Sequence, residues 1–201
     1  MPTDLSNVLV IGVSSRALFD LEHGNDIFNK QGIEAYRKYQ QENEDKPLKP
    51  GTAFYLVKSL LELNNQAKEQ IVEVIVMSRN SPETGVRMLN SIKSEELEIS
   101  RVALSGGEPL APYIDAFGID LFLSKDEKDV QSVIDSKACA AASIYAPPEN
   151  FSTQNSRVNI AFDADAVLFS DESELRYKTE GLAAFHQHEE DNENEPLKEG
   201  P

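Results

Sequence analysis

Val72-Glu73-Val74-Ile75-Val76-Met77-Ser78-Arg79-Asn80-Ser81-Pro82-Glu83 decides the fold class. Apart from Glu73, the run Val72 to Met77 is apolar and largely β-branched, the pattern of a strand buried on both faces. Ser81 has the chemistry of a helix cap, Pro82 suits a first helical position, and Glu83 favours the positive end of the helix dipole. A strand therefore passes into a helix through the short turn Ser78-Arg79-Asn80. Outward from this unit the pattern recurs. Further strands are expected at Val8 to Val13, Arg101 to Leu104, Leu121 to Leu123, Ala142 to Tyr145 and Val158 to Phe162. Helices are expected at Gly32 to Gln41, Ala53 to Leu63, Pro82 to Ile92, Pro109 to Phe117, Glu127 to Ile134 and Glu174 to Gln187. Short strands alternating with helices describe an α/β, Rossmann-like parallel sheet flanked by helices. In such sheets ligands bind at the turns beyond the strand C-termini, which makes Ser78, Arg79 and Asn80 candidate substrate contacts.

Composition narrows the function. The chain has 201 residues, 40% hydrophobic and 27% charged, enough for one core with a smaller appendage. Acidic residues outnumber basic ones 35 to 19, a formal charge of −16, so neither nucleic acid nor an anionic membrane is an expected partner. The longest stretches without charge, Leu5 to Ser15 and Ala138 to Pro148, are shorter than the about 20 apolar residues a membrane helix needs. Met1 to Asn7 is polar and acidic, unlike a secretory signal. The single cysteine, Cys139, fits a reducing cytoplasmic compartment and reads as a small core side chain. Nothing in the composition bears against a homo-oligomer.

The chain resembles itself. Residues 13–36 align without a gap to residues 162–185, with Ser14 facing Asp163 at an offset of 149. At the same offset residues 42–51 face 191–200, and Asn43, Glu44, Pro47, Leu48, Lys49 and Gly51 meet identical residues. This reads as an internal duplication, with a first domain over 1–150 and the first strand and helix of a second copy over 156–201. A lone strand and helix cannot close a core. The chain therefore reads as cut short, unless the strand at 158–162 docks onto the first sheet.

The sharpest chemical signal lies in the second copy, Asn159-Ile160-Ala161-Phe162-Asp163-Ala164-Asp165-Ala166-Val167-Leu168. An apolar strand delivers Asp163 to its end and Asp165 follows two residues later, so both carboxylates can face one pocket. Two close anions need a shared proton or a divalent cation, and Mg²⁺ suits hard oxygen ligands. This arrangement serves phosphoryl transfer: Asp163 as nucleophile forming an aspartyl-phosphate, Asp165 as general acid and base, both as metal ligands. Two polar turn residues closing a strand would give the same short pattern.

The longer string Phe162-Asp163-Ala164-Asp165-Ala166-Val167-Leu168-Phe169-Ser170-Asp171-Glu172-Ser173-Glu174 resembles the signature of the cytosolic 5′-nucleotidase I family of haloacid dehalogenase-like hydrolases. Val13 to Phe19, Gly32 to Tyr36, Met77 to Asn80 with Gly85-Val86-Arg87, and Ser105-Gly106-Gly107 are similar to that family's N-terminal half. The resemblance implies a haloacid dehalogenase-like fold and a Mg²⁺-dependent phosphatase acting on nucleoside 5′-monophosphates. Such enzymes also carry a Ser or Thr, a Lys and an acidic pair downstream of the aspartates, and none follows Pro201, so little or no turnover is expected of this polypeptide. In the first copy Ser14 and Arg16 replace the two aspartates, making it a degenerate, noncatalytic domain from which a binding or assembly role is the alternative expectation. In a single permuted domain Ser78, Lys125 and Asp126 or Asp120 would stand in as helpers; as ordinary residues, Asp126 would cap the helix at Glu127. Asp171, Glu172 and Glu174 read as a solvated helix start, His186 and His188 as part of a hydrated face, and Ser105-Gly106-Gly107 as a turn.

Overall fold

The computed structural model describes residues 5–146 and 160–200, without the side chains of 165 and 166, and divides the chain into two compact units, Met1–Val158 and Asn159–Pro201. Unit 1 runs β1 (Leu9–Ser14), α1 (Ser15–Leu18), α2 (Glu22–Gln31), α3 (Ile33–Glu42), α4 (Phe54–Ala67), β2 (Val72–Ser78), α5 (Pro82–Ser94), β3 (Arg101–Leu104), a 3₁₀ turn at Ala111–Tyr113, α6 (Ile114–Phe117), β4 (Leu121–Ser124), α7 (Glu127–Ser136) and β5 (Ala140–Ser143). The five strands are all parallel in the order β3-β2-β1-β4-β5. The order reverses at β1, which pairs Leu9 with Val72 on one edge and Ile11 with Leu121 on the other.

Period-2 alternation sorts the core into two layers. Ile11, Val13, Val74, Val76 and Leu123 face one layer with Val57, Leu60 and Leu61 of α4 and Met88 and Ile92 of α5. Val10, Ile75, Met77 and Phe122 face the other, against Leu110, Ile114, Ile119 and Val133. Both faces are covered, as a parallel sheet requires. Asn64 of α4 ties the entry of β2: its Oδ1 accepts from Ile71 N and Val72 N and its Nδ2 donates to Val72 O, each at 2.9 Å. Glu73, the charge buried in β2, takes a two-pronged bond from Arg101 at 2.5 and 2.6 Å.

Sequence and structure differ in places. The α2 helix was not expected, and β5 begins two residues before Ala142. Ser81 has the extended backbone of a cap, but its hydroxyl bonds the side chains of Glu83 (2.6 Å) and Thr84 (3.3 Å) instead of a backbone N–H. Of the strand expected at Val158 to Phe162, residues 158 and 159 lie outside the described residues and 160–162 are not a strand. The described sheet draws its strands from residues 9–143. Without a neighbour to complete the ladder, an apolar run does not hold a strand.

Among its described residues unit 2 has one π-helical turn at Ala164–Leu168, α8 (Glu172–Glu180) and α9 (Leu182–Asp191). Its bonds reproduce those of unit 1. Gly51 N donates to Leu18 O and Asp20 N to Lys49 O; Gly200 N donates to Leu168 O and Ser170 N to Lys198 O. Gly32 joins α2 to α3 at φ 85°, and Gly181 joins α8 to α9 at φ 88°, a conformation that favours glycine. The Phe28–Tyr36 ring pair (6.0 Å, 79°) has its counterpart in Tyr177–Phe185 (6.3 Å, 78°). The gapless alignment needs one adjustment: Leu18 corresponds to Leu168, because the π-turn has five residues where α1 has four, and α8 is one residue shorter than α2. What differs is burial. Val13, Leu18, Phe19 and Leu48 are buried, whereas Phe162, Leu168, Phe169 and Leu197 are exposed.

Gly51 allows the chain after α3 to press on α1, since a Cβ there would lie 2.5 Å from Ala17 O and 2.8 Å from Phe19 N. Both are backbone atoms and cannot swing aside. Gly51→Ala is expected to destabilise unit 1 by about 1–3 kcal/mol, read as a lower urea midpoint; an unchanged midpoint contradicts this packing.

Candidate functional site

At the reversal of strand order, β1, β2 and β4 end side by side, each on a buried serine: Ser14, Ser78 and Ser124. Each hydroxyl accepts a backbone N–H from the turn that follows. Ser14 Oγ accepts from Ala17 N (3.3 Å), Ser78 Oγ from Asn80 N (3.1 Å) and Ser124 Oγ from Asp126 N (3.0 Å). A fourth buried hydroxyl, Ser15 Oγ, lies 3.0 Å from Ser78 Oγ. The serines thus set three turns at one height, and a cavity of about 590 Å³ opens above them. Its volume falls within the range of small-molecule sites, roughly 300–1,000 Å³.

Two kinds of surface line it. The floor is polar, with the serines, Arg16, Arg79, Asp126 and Asp129. One wall is apolar, with Leu21 and Phe28 of the α2 segment and Ile33 and Tyr36 of α3. Tyr36 OH donates to Asn80 Oδ1 at 3.2 Å, joining wall to floor, and burial pushes its phenol upward. Gly106 N donates to Asn80 O and Ser105 N to Ser78 O, so the Ser105-Gly106-Gly107 turn is tied to the same floor.

The charges are unevenly matched. Arg79 is paired closely with Asp129, whose carboxyl is nevertheless raised, burial outweighing the attraction of that guanidinium. Arg16 has only long contacts, 3.4 Å to Glu22 and 3.8 Å to Asp126, and its Nε is buried with no hydrogen-bond partner among the described residues. Arg37 pairs with Glu34 at 3.0 Å, and its Nε is buried and unpartnered in the same way. An unmet buried N–H costs about 1–3 kcal/mol.

The residues expected from sequence divide accordingly. Ser78, Arg79 and Asn80 line the cavity together. Asp126 caps α7, its Oδ1 accepting from Lys128 N at 3.0 Å. Lys125 is engaged with Glu22 at 2.6 Å, and Asp120 accepts from Val10 N at the opposite end of the sheet, so neither serves as a helper on this floor. Asp163 belongs to unit 2, where it precedes the π-turn in the extended conformation that Ser14 has before α1 (ψ 142° and 146°). Its carboxylate is exposed and makes no capping bond; the side chain of Asp165 is outside the described structure. Glu172 and Glu174 pair with Lys198 (2.9 Å) and Lys178 (2.7 Å) on a solvated helix start, and His188 Nδ1 lies 3.0 Å from Asn192 Nδ2. Cys139 is part-buried with its thiol pushed up by burial, which suits a packing role. Among the described residues no group of three or more His, Cys, Asp or Glu is placed to hold a metal ion. Sequence reading missed the wall residues Phe28 and Ile33; the signal for them was Gly32, aligned with Gly181 between matched aromatics.

Glu22 yields a pH prediction. The hydrogen bond from Lys125 holds its carboxyl below the usual range, with burial opposing. That stabilisation is present above the ordinary carboxylate pKa and is lost as pH falls through the lowered one. The side chain is half exposed, so screening limits the effect to under about 1 kcal/mol. Glu22→Gln should be slightly less stable than the parent at neutral pH and equal to it in acid; a difference persisting in acid contradicts the pairing.

A human protein, "Cytosolic 5'-nucleotidase 1B", is 34% identical over 206 residues, covering 100% of this chain, while the chain spans 34% of that relative's length. Two structures of the HAD domain of effector protein Lem4 from Legionella pneumophila, one an inactive mutant, superpose at TM-scores of 0.43 and 0.42 with 11% identity, over 73% and 90% of this chain and 90% and 98% of theirs. At those scores the strand order, and not the superposition, describes the fold. The profile of the 5'-nucleotidase family matches residues 1–201, and the chain belongs to that family.

Proposed function

We propose that this chain is part of a Mg²⁺-dependent 5′-nucleotidase that hydrolyses nucleoside 5′-monophosphates, with Asp163 as nucleophile and Asp165 as general acid and base. The observation that carries the reading is the exposed carboxylate of Asp163, which makes no capping bond and stands beside a π-turn, at the backbone position where unit 1 has Ser14. Single π-turns recur at functional sites. Membership of the 5′-nucleotidase family supports the substrate class. The shared hydrogen bonds support reading unit 2 as a repeat of the beginning of unit 1, which would make residues 1–150 the degenerate copy.

The donor chemistry suits the metal. Asp163 and Asp165 offer hard carboxylate oxygens and would hold the ion, whereas Ser14 and Arg16 do not fit one, a guanidinium having no lone pair to give. Bound Mg²⁺ neutralises charge developing on the phosphoryl oxygens. An Asp163 oxygen attacks phosphorus, the P–O5′ bond breaks, and Asp165 gives its proton to the departing O5′. Asp165 then takes a proton from the water that attacks the aspartyl-phosphate, releasing phosphate and restoring Asp163.

For the 201-residue polypeptide itself we expect slow turnover, since Phe162, Leu168 and Phe169 around Asp163 are exposed and exclude no water. The relative's name places it in the cytosol, the compartment we propose here; no helix among the described residues is long and apolar enough to cross a membrane. The test is phosphate release from nucleoside 5′-monophosphates by the intact protein. Asp163→Asn should reduce it by at least about 10³-fold, and EDTA should abolish it reversibly with Mg²⁺. Undiminished release by the variant overturns the nucleophile assignment.

A further inference from the structure

We propose that the cavity of unit 1 is a second, noncatalytic site that binds a nucleoside monophosphate without a metal, with Arg16 supplying the fixed positive charge. The inference stands on unit 1 alone and does not require the catalytic reading of Asp163.

Its floor is built for an anion. Ser14, Ser15 and Ser78 place buried hydroxyls at the ends of adjoining strands, and the Ser15–Ser78 pair at 3.0 Å can turn a proton toward an incoming oxygen. Arg16 is the under-used cation there. Its contacts to Glu22 and Asp126 are 3.4 and 3.8 Å, too long for strong charge-assisted bonds, and its Nε has no partner among the described residues. Arg37 and Arg79 are each committed to a close carboxylate, Glu34 at 3.0 Å and Asp129, which leaves Arg16 as the lining cation with the weakest pairing.

The same floor is unsuited to chemistry. Where unit 2 has Asp163 and Asp165, unit 1 has Ser14 and Arg16, so neither a carboxylate nucleophile nor a metal ligand stands at the strand end. Asp126 is occupied as a helix cap and Asp129 by Arg79. A phosphate held here stays intact.

The wall selects what the phosphate is attached to. Phe28 and Ile33 are 45% and 44% exposed although they line a cavity, and Tyr36 closes the T-shaped ring pair behind Phe28. Apolar surface of this kind receives a flat ring, and about 590 Å³ accommodates base, sugar and phosphate together. Inorganic phosphate would leave that wall wet.

Titration of the intact 201-residue chain with 5′-AMP in EDTA, by calorimetry and by amide NMR, tests the proposal. Saturable binding of one ligand per chain is expected, with no phosphate released, and with shifts at residues 14–16 and 78–80. Adenosine, lacking the phosphate, and Arg16→Gln, lacking the charge, should each bind at least about tenfold more weakly, the effect of losing charge-assisted bonds. Asp163→Asn should bind as the parent does. Lack of saturation at millimolar 5′-AMP overturns the proposal. So does a requirement for Mg²⁺, loss of binding in Asp163→Asn, equal affinity for adenosine, or shifts confined to 160–170. The shifts in the unaltered chain decide the location should Arg16→Gln fail to fold.

Discussion

Three serine hydroxyls, each accepting a backbone N–H from the turn that leaves its strand, are the constraint on which the unit 1 cavity depends. A parallel sheet brings strand ends together but leaves their last backbone groups without ladder partners. The hydroxyls of Ser14, Ser78 and Ser124 take up the N–H groups of Ala17, Asn80 and Asp126 just past the strands, so β1, β2 and β4 end on short, tied turns around a common opening. Larger side chains that neither turn back nor stay small would fill the space. The cavity, its polar floor and the position of Arg16 all follow from that arrangement.

Units 1 and 2 separate backbone from chemistry. Their hydrogen bonds, their positive-φ glycines and their ring pairs correspond, yet one has Ser14 and Arg16 where the other has Asp163 and Asp165. Exchanging a carboxylate for a hydroxyl removes a nucleophile, and exchanging another for a guanidinium replaces a metal ligand with a permanent cation. Under the proposed roles of Asp163 and Asp165, that exchange would turn a site suited to phosphoryl transfer into one suited to holding an anion. The inserted residue of the π-turn falls between Asp163 and Leu168, close to the carboxylates it would re-aim.

Much of unit 1 was legible because its signals are local. Val72 to Met77 is apolar sequence broken only by Glu73, and Asp126 before Glu127 is a cap that the structure bears out. The α2 helix was not legible for a physical reason: Gly24, Asn25 and Asp26 are poor helix formers, and the helix is held by packing on α3, where Gly24 lies against Tyr36 and Gln40 and His23 against Tyr39. The apolar wall of the cavity was hidden with it. At 160–162 the opposite error arose, since an apolar run read as a strand has no neighbour in unit 2 to complete its ladder. Of the candidate site, the aspartate pair and the Ser78-Arg79-Asn80 turn were visible as motifs, but the isolation of Arg16 is a matter of distances that no sequence carries.

The proposed chemistry requires a carboxylate acting at the position where unit 1 has only a hydroxyl. Rapid quenching of the intact protein during turnover of 5′-AMP, borohydride reduction of any acyl-phosphate and peptide mapping reads this directly. Conversion of Asp163 to homoserine, with Ser14 unmodified, is expected. Full turnover with Asp163 intact and the phosphoryl group trapped on another residue would contradict it.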